Sequence, residues 1–206
     1  MKLYYSPGAC SLAPHIILRE GNFDFQLERV NLQSAETETG ADYKTINANG
    51  YVPALKLDEG QVLTEGPAIV QYLADLVPEK CLVPASGTLE RYRLMEWLNF
   101  ISTELHKRFG ALFNPELPEE MKALIKSHLT SRIEEVSRRL DDKPYAMGEE
   151  FTVVDAYLFT VLSWDKYVGV DLSAWPRLGT YLNRVAARPA VQAALTAEGL
   201  LSASAQ

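Results

Sequence analysis

Near residue 80 the hydrophobic pattern of this chain changes kind, and that change limits the fold more than any single motif does. Before it, short runs with a strand's two-residue period alternate with helical stretches. Residues 2–6 (KLYYS) are aromatic and apolar and read as a strand, which Pro7-Gly8 breaks. Residues 11–20 read as a helix, with Pro14 tolerable only in its first turn and Gly21-Asn22 closing it. Residues 25–31 (FQLERVN) alternate as a second strand; a polar loop, 33–40, and a helix-like stretch, 41–46, follow. A turn over 47–53 leads into a third strand at 54–58, and Glu59-Gly60 folds it back on a fourth at 61–64 as a hairpin. Gly66-Pro67 opens a helix to about Leu76, with Pro at the first helical position. The order is β-α-β-α-β-β-α.

A linker, residues 77–87, carries Pro78, Pro84, Ser86 and Gly87. Every periodic stretch beyond it is helical: 88–113, 118–140, 153–167, 176–187, and a short one after Pro189. Thr152-Val153-Val154-Asp155 has the form of a capping box, with Asp where Glu is commoner. No internal repeat is present. The pattern therefore predicts a mixed α/β unit followed by an all-helical one.

Composition removes whole classes of function. Of 206 residues 47% are hydrophobic and 23% charged, which is globular rather than disordered or fibrous. The net charge is −7, with 6 basic and 11 acidic residues up to residue 86 and 14 and 16 after it. Neither part is the basic module a nucleic-acid partner needs, so none is expected. The longest window without Asp, Glu, Lys or Arg, residues 3–18, contains Pro7, Gly8, Pro14 and His15 and cannot cross a bilayer. It also lacks the apolar core of a signal peptide, which points to a cytoplasmic protein with no membrane partner. Cys10 and Cys81 lie far apart and form neither a disulfide framework nor, with His15 five residues after Cys10, a metal-ligand spacing; no metal is expected.

Four places could carry chemistry. Cys10 sits between a strand end and a helix start, where first-turn amides and the helix dipole favour a thiolate. The arrangement resembles a thioredoxin-type strand–Cys–helix, but Cys10-Ser11-Leu12-Ala13 has no second thiol, so a mixed disulfide there needs an external thiol to resolve it. The plainer reading of such a cysteine is a small buried hydrophobe. Val52-Pro53 is either an ordinary turn, which the spacing favours, or a cis bond that turns the Val52 backbone sideways for an extended peptide. Glu65-Gly66-Pro67 is either a plain helix start or a site where helix amides meet a carboxylate and Glu65 an ammonium. Asn99, Ser102, Thr103 and His106, at offsets 0, 3, 4 and 7, share one face of an α-helix; a stripe of this kind is solvated surface or the wall of a cleft.

Taken in order, the segments MKLYYSPGACSLAPHI, GYVPAL, LTEGPAIVQYLAD, EWLNFISTELHK, FTVVDAYLFTVL and RPAVQAAL resemble the soluble glutathione transferases, the bacterial beta class above all, over essentially the full length. The resemblance implies a glutathione transferase-like fold: an α/β thioredoxin-like N-terminal domain, residues 1–80, that binds glutathione, and an all-α C-terminal domain, residues 87–206, that supplies a second-substrate pocket. The ligand would occupy a cleft between them. It implies Cys10 beside the glutathione sulfur and able to form a mixed disulfide with it, and Val52 ahead of a cis Pro53 pairing with the cysteinyl backbone. Glu65 and the Gly66 amide would hold the γ-glutamyl end, with Asn99 and His106 approaching from the helical domain and His106 near the sulfur. Thr103, Glu104 and Lys107 would lie near the site at a homodimer interface, and Phe109, Phe113 and Tyr167 would line the second pocket. Cys10 and His106 are thus the implied catalytic pair, and glutathione is a co-substrate rather than a cofactor.

Two departures stand out. Ala35 occupies a position where relatives often carry a carboxylate-binding Lys, leaving Lys107 or Gln33 as replacements, and Gly66 keeps an amide but lacks the hydroxyl of a Ser. Weaker glutathione affinity is the expected result. Three readings follow: conjugation of glutathione to small hydrophobic electrophiles in detoxification; a glutathione-dependent thiol–disulfide reductase or reductive dehalogenase working through Cys10; and a non-catalytic binding module of the same fold. Cys81, in the linker, receives no role.

Overall fold

The structure is a computed structural model that describes residues 1–201. Packing divides the chain into two compact units, one formed by Met1–Cys81 with the segment that begins at Ala187, the other by Leu82–Ala186.

The first unit is built on five strands, β1 (Lys2–Tyr5), β2 (Gln26–Asn31), β3 (Glu36–Thr37), β4 (Ala54–Lys56) and β5 (Val62–Thr64), in the order β3-β2-β1-β4-β5. Strand β1 (Lys2–Tyr5) is central, and its Leu3 and Tyr4 are buried because both faces of the strand are covered. It pairs in parallel with β2 (Gln26–Asn31) and antiparallel with β4 (Ala54–Lys56), so that Leu3 lies opposite both Leu27 and Leu55. Parallel neighbours require a crossover, and α1 (Leu12–Glu20) supplies it. Residues 12–18 of α1 are all buried, His15 among them, since the helix packs against both α2 (Gly66–Asp75) and α9 (Pro189–Ala197). The hairpin partner β5 (Val62–Thr64) completes one edge. The other edge is β3 (Glu36–Thr37), two residues inside what reads from sequence as a loop. A two-residue strand has no period to detect. The helix-like stretch at 41–46 is one 3₁₀ turn, Tyr43–Thr45. The β-α-β-α-β-β-α reading gives the right core order for this thioredoxin-like unit. The helix at the C-terminus, expected within an all-helical domain, instead packs on α1.

The second unit is helical: α3 (Leu89–Phe100), α4 (Lys107–Leu112), α5 (Glu119–Leu140), α6 (Val153–Leu162), α7 (Asp165–Val168) and α8 (Pro176–Ala186). Every residue of α6 is buried. Its start is the expected capping box: the Thr152 side chain meets the N3 backbone and the Asp155 carboxylate accepts from the Thr152 N–H at 2.8 Å. Asp155 also accepts from the Ala146 N–H at 2.8 Å and the Tyr181 hydroxyl at 2.9 Å, so one carboxylate ties α6 to α8 and to the preceding loop. The stretch read as one helix over 153–167 stops at Leu162, where the Ser163 hydroxyl donates to the Thr160 carbonyl.

The larger difference lies between α3 and α4. Residues Ile101–His106 form a π-helix, in which hydrogen bonds run five residues rather than four along the chain. The 3.6-residue arithmetic that puts Asn99, Ser102, Thr103 and His106 on one stripe fails across this widened turn.

Candidate active site

In the first unit, the chain leaves β1 through Pro7 and Gly8, the latter at φ +71° in the region glycine enters without cost. The Ser11 side chain clasps this loop, accepting from the Ser6 N–H and donating to the Ser6 carbonyl, both at 3.2 Å. Cys10 stands two residues ahead of α1, partly exposed, and its thiol donates to the Val52 carbonyl at 3.2 Å. From the other side the Gly8 N–H donates to Glu198 Oε2 at 2.8 Å. Glu198 Oε1 in turn receives His15 Nδ1 at 2.8 Å, and Arg19 Nε donates to His15 Nε2 at 2.9 Å. Arginine can only donate, so Nε2 of His15 carries no proton and Nδ1–H is the donor to Glu198. A sealed relay thus runs from α1 through the C-terminal end of the chain to the loop bearing Cys10.

The Val52–Pro53 bond is cis. Just before it, the Tyr51 carbonyl accepts from the buried Tyr43 hydroxyl at 2.9 Å and from Asn47 Nδ2 at 2.7 Å, which anchors the turn. Burial pushes the Tyr43 phenol up to about 12, so it serves as a neutral donor. At the head of α2, Glu65 sits at φ +67° with its side chain exposed and no bond from that side chain to the helix it precedes. A non-glycine residue held there stores some strain, a conformation it shares with Asn22, Ala35, Cys81 and Asp141. Its carbonyl still accepts from the Ala68 and Ile69 amides at 2.9 and 3.0 Å. A Cβ on Gly66 would stand 3.9 Å from Pro53 Cγ, which places the α2 start directly against the cis-proline segment. Cys10, Val52, Pro53, Glu65 and Gly66 therefore all belong to one unit, with direct contacts linking Cys10 to Val52 and Gly66 to Pro53.

In the second unit, Asn99 and Thr103 are exposed and bonded along their own helix, Asn99 Nδ2 to the Met95 carbonyl and the Thr103 hydroxyl to the Asn99 carbonyl. Glu104 is engaged by Arg108 at 3.0 Å and Arg132 at 3.1 Å. Lys107 is exposed. His106 closes the π turn: its Nδ1 lies 2.6 Å from the Tyr157 hydroxyl, and its ring meets that of Trp164 edge-on at 5.0 Å. Burial, with the Lys107 charge adding to it, pushes His106 down to about 4, so the imidazole is neutral at physiological pH. Phe109, expected on a pocket wall, is instead sealed in the core behind Trp164, whereas Phe113 and Tyr167 are exposed. Position 109 is one turn on from Leu105 and faces the same core, an outcome helical spacing permits.

Glu198, Tyr157 and Trp164 are the residues that sequence reasoning missed. Each meets its partner across many residues, and no local spacing marks it. Among the described residues no group of three His, Cys, Asp or Glu is placed to hold a metal, and no helix is long and apolar enough to cross a membrane.

Comparison with known proteins bears on this geometry. Residues 8–76 match the family described as glutathione S-transferase, N-terminal domain, and residues 100–189 that described as glutathione S-transferase, C-terminal domain. The chain is 49% identical over 200 residues to the glutathione S-transferase GstA of Escherichia coli O157:H7, spanning 97% of this chain and 100% of that protein. Among solved structures, the ternary complex of BphK, a bacterial GST, superposes with a TM-score of 0.96 at 56% identity, over 97% of this chain and 100% of that one. A sphingomonad glutathione S-transferase complexed with glutathione gives 0.94 at 48% identity, over 98% and 100%.

Proposed function

Because the chain belongs to the glutathione S-transferase family and is a glutathione transferase, we propose that it joins the thiol of glutathione to small hydrophobic electrophiles, with Cys10 seated beside the ligand sulfur. The sulfur–carbon bond forms as the leaving group departs with its electron pair, and the thiol proton goes to solvent. Holding a thiolate beside an electrophile supplies proximity, and lowering the thiol's proton affinity supplies the nucleophile. In this reading the Val52 backbone pairs with the cysteinyl part of glutathione, while Glu65 and the Gly66 amide take the γ-glutamyl end. Asn99, Thr103, Glu104, His106 and Lys107 approach from the second unit, with His106 facing the sulfur, and the protein works as a cytoplasmic homodimer in detoxification.

The observation that carries the reading is the Cys10 thiol 3.2 Å from the Val52 carbonyl, at the head of α1 and beside a cis proline that abuts the α2 start. The test is an intact mass after incubation with oxidised glutathione. Wild type and Cys81→Ala should each gain one glutathione at Cys10: the Cys10 thiolate attacks one sulfur of the disulfide, a new S–S bond forms, and reduced glutathione leaves. Cys10→Ala should gain none at that position. No addition at Cys10 in the wild type would overturn the placement of the thiol.

The same thiol favours a second reading, a glutathione-dependent disulfide reductase or reductive dehalogenase. There, Cys10→Ala abolishes disulfide reduction while conjugation partly survives. A non-catalytic module would instead show no retention of either wild type or Val52→Pro on immobilised glutathione.

A further inference from the structure

We propose that Tyr157 is a positioning residue for His106: its hydroxyl donates to Nδ1 and holds the ring in the Nε2–H form, so that His106 serves as a hydrogen-bond donor and not as a base. The inference rests on the reading above that His106 faces the glutathione sulfur.

The geometry is direct. Tyr157 lies in α6, the most deeply packed helix of its unit, and is 2% exposed. Helix α6 packs against the π segment that ends on His106. The hydroxyl is 2.6 Å from Nδ1, short enough for a strong bond, and the two rings meet nearly at right angles. Trp164, itself 6% exposed, fixes the imidazole plane from another side at 5.0 Å. A neutral imidazole has one donor and one acceptor nitrogen, and the bond made by one decides the role of the other. An imidazole nitrogen is a far stronger base than a phenol oxygen, and a phenol O–H is the more acidic donor. The favourable arrangement is therefore O–H···Nδ1. Nδ1 is then occupied as acceptor and the remaining nitrogen, Nε2, must carry the proton. A ring so held cannot take the thiol proton at Nε2. It can donate to a sulfur that is already anionic, which stabilises the thiolate rather than generating it. The low proton affinity that burial gives His106 agrees, because such a ring makes a poor general base near neutrality.

The test uses ¹⁵N-labelled full-length protein and long-range ¹H–¹⁵N spectra of the His side chains, with His106 assigned by its loss in His106→Gln. Wild type should show the Nε2–H tautomer with a hydrogen-bonded Nδ1, and Tyr157→Phe should move the Nδ1 resonance to that of an unbonded nitrogen. In parallel, Tyr157→Phe should lose about tenfold in kcat with the KM for glutathione little changed, the equivalent of one supporting hydrogen bond. His106→Gln, which keeps an N–H donor but no base, should retain at least tenfold more kcat than His106→Ala. An Nδ1–H tautomer in the wild type, an unmoved Nδ1 in Tyr157→Phe, or His106→Gln as impaired as His106→Ala each overturns the proposal. Should His106→Ala conjugate at the wild-type rate while the resonances behave as expected, the Tyr157–His106 bond stands but the placement of His106 at the sulfur is wrong.

Discussion

Replacing Glu198 tests whether a residue far along the chain holds the Cys10 loop in place. Its carboxylate, fully sealed, accepts from two donors, the Gly8 N–H and His15 Nδ1–H, both at 2.8 Å. His15 is held in place by Arg19 at Nε2. Glu198→Ala removes the acceptor from both bonds, and each buried hydrogen bond broken from one side costs about 1–3 kcal/mol, so about 2–6 kcal/mol together. For a chain of this length that is a fall of about 10 °C in Tm. Glu198→Gln keeps one oxygen but must aim its amide at one of the two donors, a single mismatch costing about 1–3 kcal/mol. Equilibrium urea unfolding should therefore rank wild type above Glu198→Gln above Glu198→Ala. Because Gly8 precedes Cys10 by two residues in the same loop, both variants should also form the Cys10 mixed disulfide with oxidised glutathione more slowly, followed by mass against time. A Glu198→Gln protein as stable as wild type, or a loss below about 1 kcal/mol for Glu198→Ala, would refute the relay as a support.

In the second unit, Asp155→Ala leaves the Ala146 and Thr152 amides and the Tyr181 hydroxyl unmet in a sealed site and should cost about 3–5 kcal/mol in urea unfolding; a loss under about 1 kcal/mol would show that other groups satisfy them. His106 makes stability acid-sensitive. Folded it titrates at about 4 and unfolded near 6.5, so between those values the unfolded chain binds a proton that the folded one refuses, and stability falls as pH falls. Across the full window the loss is about 3 kcal/mol, and His106→Gln, with nothing to titrate, should be spared it in paired urea curves at pH 7 and pH 4. Ala35→Lys restores a cation near the expected glutathione carboxylate and should tighten glutathione binding about two- to fivefold by calorimetry, the scale of one exposed ion pair. An unchanged affinity would show that Gln33 or Lys107 already holds that carboxylate.

Elements whose cause is local are legible in the amino-acid sequence. An aromatic, apolar run marked β1, alternation marked β2, the turns on either side marked β4, proline and glycine marked the loop before Cys10 and the start of α2, and the Thr152–Asp155 box lies within three residues of chain. The motif residues of the first unit were legible for the same reason, since each sits at a strand end or a helix start. The rest depends on long-range packing. The π turn at Ile101–His106 carries no glycine or proline to announce it, and it re-aims His106 toward Tyr157, 51 residues away. Phe109 and Phe113 look alike as sequence and both meet the Trp164 ring edge-on, yet Phe109 is buried and Phe113 is exposed. Glu198 reaches Gly8 across 190 residues because the final helix lies on α1, not among the helices that precede it. Periodicity reports which face of an element is apolar and where the element stops. Which side chain waits opposite that face depends on the path of the whole chain, and a short-range pattern carries no record of it.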